Sequence, residues 1–383
     1  MASTRKTQPK TVDFLDLTVW KTKLPDCQFA VLPASNNRPN PLATQDRLYA
    51  SVFAPGAICA LERGNGKLIW RRELQKYCGA SVYLYERKLF AKTSNTLFAL
   101  NPDSGETFWS FCPYGSDGES IYSSPSAQQN QVFIGDRRGN LHCLDIESGK
   151  TIWRRRTNRA RNDDVNSTPV LMYDLVIVST NAKTVLAYDA LSGKLVWKQK
   201  LDGPSTFGPI VHQNSVLVLS DSLYVLNPRT GSVRRRLFWS DLKVQQAAST
   251  PQSIIVMLRP EIPHTEISAA NKEAITLAAS ELGSKTAMCV IANSGTKRKR
   301  QIAAFCPEFR YEARTRLVYL SHLGGVDILR PTTGALVCQL TTSGDTKDGT
   351  GLVDVTDGTI YVLTGDGTVH ALRHPAQSPT VSH

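Results

Sequence analysis

The chain has 383 residues, of which 41% are hydrophobic and 20% charged. That is ordinary for a soluble globular protein and enough for one large core. Lysine and arginine number 45 against 33 aspartates and glutamates, a formal net charge of +12, so anionic partners have to be considered from the outset. No apolar run approaches the roughly 18 residues of a membrane-spanning helix, which argues against a helical membrane protein.

Residues 1–11 read as a flexible tail. The start, MASTRKTQPKTVDFLDL, is basic but has no apolar core or small-residue cleavage site, so a secretory signal is not expected. The segment Leu17–Leu24 (LTVWKTKL) is strand-like. Four copies of one pattern follow: ALERGNGKLIW (Ala60–Trp70), ALNPDSGETFW (Ala99–Trp109), CLDIESGKTIW (Cys143–Trp153) and AYDALSGKLVW (Ala187–Trp197). Weaker copies centre on Gly231, Gly295 and Gly334, where Arg235, Lys299 and Cys338 replace the tryptophan. The seven glycines are spaced by 39, 44, 44, 38, 64 and 39 residues. A period near 40 marks one repeated supersecondary unit.

Each unit holds four short strands. In the third they are Tyr122–Ala127, Gln131–Asp136, Asn140–Asp145 and Lys150–Arg156, joined by turns rich in glycine, asparagine and serine. The second strand recurs eight times: Leu48–Phe53, Leu89–Thr93, Val132–Gly135, Leu175–Ser179, Val216–Leu219, Ile254–Leu258, Leu317–Ser321 and Ile360–Thr364. The expected fold is all-β, an eight-bladed β-propeller of four-stranded antiparallel blades over residues 12–374, with a flexible tail at 375–383. The eighth unit stops at Thr368–His374 without an outer strand, and Trp20 in Leu17–Leu24 matches Trp197. The N-terminal strand is therefore expected to complete the last blade and close the ring.

Glycines 66, 105, 149 and 193 (Gly66, Gly105, Gly149, Gly193) supply a positive φ in the tight turn. Trp20, Trp70, Trp109, Trp153 and Trp197 are the expected wedges between adjacent blades. Without them, the junctions after blades five to seven are expected to be looser. The extra residues at about 259–283 interrupt blade six. Within them Ile275, Ala278, Ala279 and Leu282 share a helical face, while EAITLAAS also reads as strand.

The pattern A-x-D-x-x-x-G-K-x-x-W, met at Ala187, Asp189, Gly193, Lys194 and Trp197, resembles the tryptophan-docking repeat of the PQQ-like β-propellers. The resemblance covers about residues 12–374. It implies the fold. For function it implies several unrelated activities, since that superfamily holds quinoprotein dehydrogenases, an outer-membrane assembly lipoprotein and the propeller of an acyl-CoA-synthetase-like protein. In a dehydrogenase the resemblance would imply an adjacent cysteine pair and a calcium-holding Glu/Asn/Asp set. No Cys-Cys occurs, and no such acidic set can be assigned.

No catalytic, cofactor or metal residues stand out. The eight cysteines show no C-x-x-C and fit buried thiols in a reducing cytoplasm. Gly344–Gly351 lacks calcium-loop spacing. Small residues recur at the innermost strands, at Cys78–Ala80, Ser123–Pro125, Ser167–Pro169, Phe207–Pro209 and Ser249–Pro251. Packing around the axis or a funnel ligand accounts for them. Basic residues cluster after the glycine turns, notably Arg155, Arg156, Arg159, Arg161, Lys297 and Arg298, as solvated edges or a partner-binding rim. The sequence is expected to encode a cytoplasmic, monomeric, non-catalytic scaffold that binds a protein partner through its basic, insertion-bearing face. A PQQ-binding quinoprotein, or an electrostatic binder of nucleic acid or anionic membrane, are the alternatives.

Overall fold

The structure is a computed structural model. It describes residues 10–27, 41–53, 56–74, 82–115, 121, 123–157, 164–165, 167–205, 207–240, 242–260, 287–292, 297–301, 308–322, 325–341 and 352–375. These form eight sheets, each built on four antiparallel strands in order from the first to the outer strand, with N-terminal strands added to the seventh and completing the eighth. Each expected second strand is present to within two residues, from Arg47–Val52 in blade one to Thr359–Leu363 in blade eight. Their local signal is strong because both faces are buried. Leu175–Thr180, for example, is buried at every position after the first.

The eighth sheet borrows its outer strand from the N-terminus. Thr18–Lys23 runs antiparallel to Thr368–Arg373, with Thr18 opposite Leu372 and Lys23 opposite Thr368. Ring closure by the N-terminal strand is thus a feature of the fold. Just upstream, Lys10–Asp13 adds to the outer strand of blade seven in parallel, making it a five-stranded sheet. The strand begins two residues before the domain boundary expected at residue 12. Between the two strands lies a single helical turn, Phe14–Leu17, capped by Asp13, which accepts from the Leu15 N–H at 2.8 Å.

Among the described residues the core is divided into eight hydrophobic clusters, and each fills one junction between neighbouring blades. Five junctions share one device. The indole of each outer strand lies on the glycine turn of the following blade: Trp20 on Gly66, Trp70 on Gly105, Trp109 on Gly149, Trp153 on Gly193 and Trp197 on Gly231. A Cβ at Gly149 would stand 2.6 Å from the Trp109 ring, and one at Gly193 2.7 Å from Trp153. Each indole N–H donates to the carbonyl three residues before its glycine: Arg63, Pro102, Ile146, Ala190 and Pro228, at 2.8–3.0 Å. The turns are braced from within. Asn101, Asp145, Asp189 and Asn227 accept backbone N–H bonds from the residues that follow them. Glu62, at the same place, instead accepts from the Asn65 side chain.

The three junctions without a docking tryptophan are filled in other ways. Between blades five and six, Trp239 packs beside Leu237 and Phe207. Between blades seven and eight, Phe14 and Leu17 insert beside Cys338. The expected looseness is therefore offset there by residues outside the repeat. Among the described residues, the junction between blades six and seven keeps a cluster of six buried residues.

Two outcomes follow. Trp153→Ala or Trp197→Ala is expected to cost about 3–5 kcal/mol in urea unfolding, and Arg235→Ala far less; equal costs would mean the repeats are misaligned. Deleting residues 1–24 removes both N-terminal strands and should abolish cooperative unfolding. Asp366 ties the closing strand through Lys23 and accepts from the Thr364 and Thr368 hydroxyls at 2.5–2.7 Å. Burial works to raise its carboxyl, but these bonds outweigh it and hold it well below the ordinary value. Its contribution is complete above the unfolded carboxylate pKa of about 3.9 and is lost as pH falls through the lower folded value. Asp366→Asn should therefore lower the melting temperature at pH 7 more than in strong acid.

Candidate interaction surfaces

The outer strand of blade three, Thr151–Arg156, turns Trp153 inward and leaves Arg154, Arg155 and Arg156 exposed. Arg155 has a structural task as well. Its Nε donates to the Gly193 carbonyl at 2.8 Å and its Nη2 to that of Ser192 at 2.9 Å, so it clamps the turn on which Trp153 sits. Thr22 does the same two residues after Trp20, donating to the Gly66 carbonyl at 2.7 Å. Sequence reading missed this because the acceptor belongs to another blade. Arg156 lies opposite Asn140, at the end of the strand away from the glycine turn.

Arg159, Arg161 and nearly all of the insertion lie outside the described residues. Their flanks do have a defined place. The insertion's border at Leu258 pairs with Ala287, which pairs in turn with Gln301 at the exit of blade six. This is the same end of the blade as Arg156 occupies in blade three. Lys297 and Arg298, opposite Ile291 and Val290, open their strand at the other end. The fold therefore groups Arg156 with the insertion's flanks and places Lys297 and Arg298 apart from them.

Beneath Arg156 lies a buried polar network. The Asp136 carboxylate accepts from the Tyr114 hydroxyl at 2.6 Å and from the backbone N–H groups of Arg138 and Asn140 at 2.8 Å. Its Oδ2 is 2.8 Å from His142 Nε2. Burial would raise this carboxyl, but the His142, Tyr114 and Asn140 bonds prevail and keep it low. The same environment pushes the Tyr114 hydroxyl up, burial being the main cause, and the Arg138 guanidinium covers the Tyr114 ring at 3.8 Å. The network ties the loop between second and third strands to Tyr114 of blade two. The only sequence signal was the D-x-x-G turn at Asp136–Gly139.

Near the axis, three of the small hydroxyl residues are engaged within their own blades. Ser123 Oγ donates to the Gly135 carbonyl at 3.1 Å and accepts from its N–H at 2.7 Å. Ser167 bridges Ser179 in the same way, and Ser220 bridges Gly203. Ser249–Pro251 does not belong to this set. Ser249 ends the strand Leu242–Ser249, and Thr250 caps the next turn by accepting from the Ser253 N–H. The first strand of blade six has eight residues against three in blade five, which displaced the apparent match.

Among the described residues, no three His, Cys, Asp or Glu side chains group as a metal site, and no helix is long and apolar enough to cross a membrane. The segment Gly344–Gly351 lies outside the described residues. Two open grooves lie at blade junctions on the turn side: about 540 Å³ beside Arg330 and Pro331, and about 630 Å³ beside Trp20 and Arg63.

The repeat geometry defines a PQQ-like β-propeller with tryptophan-docked blades. A family model described as outer membrane protein assembly factor BamB matches residues 16–237, more than half of the chain, and the chain belongs to that family. No curated protein sequence matches it. Solved structures share the fold at low identity. The computationally designed Ika8 protein is 13% identical with a TM-score of 0.69, covering 93% of this chain and 99% of that one. The quinohemoprotein alcohol dehydrogenase of Comamonas testosteroni is 13% identical with a TM-score of 0.67, over 99% and 80% of the two chains. The quinohemoprotein alcohol dehydrogenase ADHIIG of Pseudomonas putida HK5 is 14% identical with a TM-score of 0.66, over 95% and 78%.

Proposed function

We propose that this propeller is a non-catalytic scaffold that binds a protein partner through its basic end face, the one bearing the blade-six insertion. The observation that carries this reading is a contrast between two regions. Ser123, Ser167 and Ser220 spend their hydroxyls on carbonyls of their own blades, whereas Arg154 and Arg156 stand exposed on the outer strand of blade three. A rigid, charged, solvent-facing surface suits recognition by steering and docking. The family description, an assembly factor, names a protein that works with other proteins. We also place the protein in a reducing compartment such as the cytoplasm. Burial raises the thiols of Cys59 and Cys143 to about 12, as expected of inert core cysteines.

The test is capture of partners by the immobilised chain, followed by mass spectrometry. Charge reversal at Arg156, Arg159 and Arg161 with deletion of 259–283 should abolish specific capture and leave the melting temperature nearly unchanged. Lys150→Glu with Lys194→Glu, on the turn side, should leave capture intact. A melting rise with added PQQ and calcium, together with turnover of an alcohol, would overturn the reading in favour of a quinoprotein.

A further inference from the structure

Three outer strands lack the docking tryptophan, and one of them shows what their free edge accepts. In blade seven, Lys10–Asp13 lies in parallel on Leu336–Thr341, with Lys10 opposite Cys338 and Asp13 opposite Thr341. The molecule thus contains an extended segment added to a blade's outer edge. Blades five and six end in Val233–Leu237 and Lys297–Gln301, and among the described residues no strand pairs beyond either. Such an edge presents unpaired N–H and C=O groups at strand spacing.

Both edges are strongly cationic, reading VRRRL and KRKRQ. In blade five two of the three arginines serve the blade itself. Arg234 donates to the Asn214 carbonyl at 2.6 Å, and Arg236 pairs with Asp202 at 2.7 Å. Arg235 is exposed and makes no hydrogen bond or ion pair among the described residues. It stands where blades one to four and blade eight turn a tryptophan onto their neighbour. A second copy of either strand would set like charges against each other, which is unfavourable. A strand that alternates glutamate with apolar residues would instead form ion pairs along the same ladder.

We propose that the outer edges of blades five and six bind an acidic, extended segment of a partner protein by strand addition, as Lys10–Asp13 occupies blade seven. This surface is separate from the basic end face and rests on the reading of the chain as a partner-binding scaffold. Strand addition gives affinity through main-chain bonds and selectivity through the charged side chains. Nucleic acid fits the same strands less well, since neither has an aromatic residue among its cations on which a base could stack.

The probe is a synthetic peptide alternating glutamate with valine, titrated into the intact protein by fluorescence anisotropy. Binding should weaken with salt and slow amide exchange across Val233–Leu237. A peptide of the same sequence with alternate backbone nitrogens methylated should not bind. Arg235→Glu with Lys299→Glu should weaken binding about tenfold, and Arg235→Gln serves if that pair melts early. Deletion of 259–283 should leave peptide binding unchanged even if partner capture is lost, so the two readings fail separately. Equal binding of the methylated peptide would overturn strand addition. Binding of polyuridylate or phosphatidylserine vesicles without binding of the peptide would overturn the choice of partner, and no binding of any probe would overturn the proposal altogether.

Discussion

At five of the eight junctions of this ring one blade's indole rests on the next blade's glycine turn, and the architecture depends on that contact. The glycine is required twice over. Its backbone lies at positive φ, between 68° and 74° at the five docked turns, where side chains with a Cβ are strained. Its missing Cβ is also the space that the ring occupies. The indole N–H then satisfies a turn carbonyl that a purely apolar wedge would leave to solvent. Because the tryptophan and its glycine belong to different blades, each repeat is stable only when its neighbour is present, and the ring has to close.

Closure is the work of the first described residues. One short stretch contributes a parallel strand to blade seven, the Phe14 and Leu17 plug to the junction after it, and the outer strand and Trp20 to blade eight. It crosses the junction between blades seven and eight and supplies the apolar volume that Cys338 lacks relative to tryptophan. The same stretch lays an extended segment on the outer edge of a blade whose outer strand carries Cys338 in place of the docking tryptophan. The cationic edges of blades five and six gain their interest from that precedent.

Much of the architecture was legible because its signals are local. Buried β-branched runs mark the second strands, and a glycine at fixed offset marks each turn. The closing strand could be read because Trp20 repeats the docking position. What escaped depends on partners distant in sequence. Arg155 looked like a free cation, yet it clamps the Ser192–Gly193 turn of the next blade. The Asp136, Tyr114 and His142 network joins two blades and has no repeated signature. Lys10–Asp13 pairs in parallel without matching any repeat unit, and Ser249–Pro251 imitated an inner-strand tripeptide while serving as a turn. Of the candidate surface, composition showed the charge, but only the strand register separated Arg156 from Lys297.

A propeller scaffold of this kind supports many activities, and the fold alone selects none of them. What the fold does provide is a rigid disc whose ends and edges differ in charge, and that rigidity comes from the docked junctions. A double-mutant cycle between Trp153→Ala and Gly193→Ala measures one such junction directly. If the indole occupies the glycine's missing Cβ, Gly193→Ala will destabilise the intact protein strongly. It will cost only the backbone strain of an alanine at positive φ, about 1–2 kcal/mol, once Trp153 is gone. Strictly additive effects would show that the two residues do not touch and would contradict the docking account.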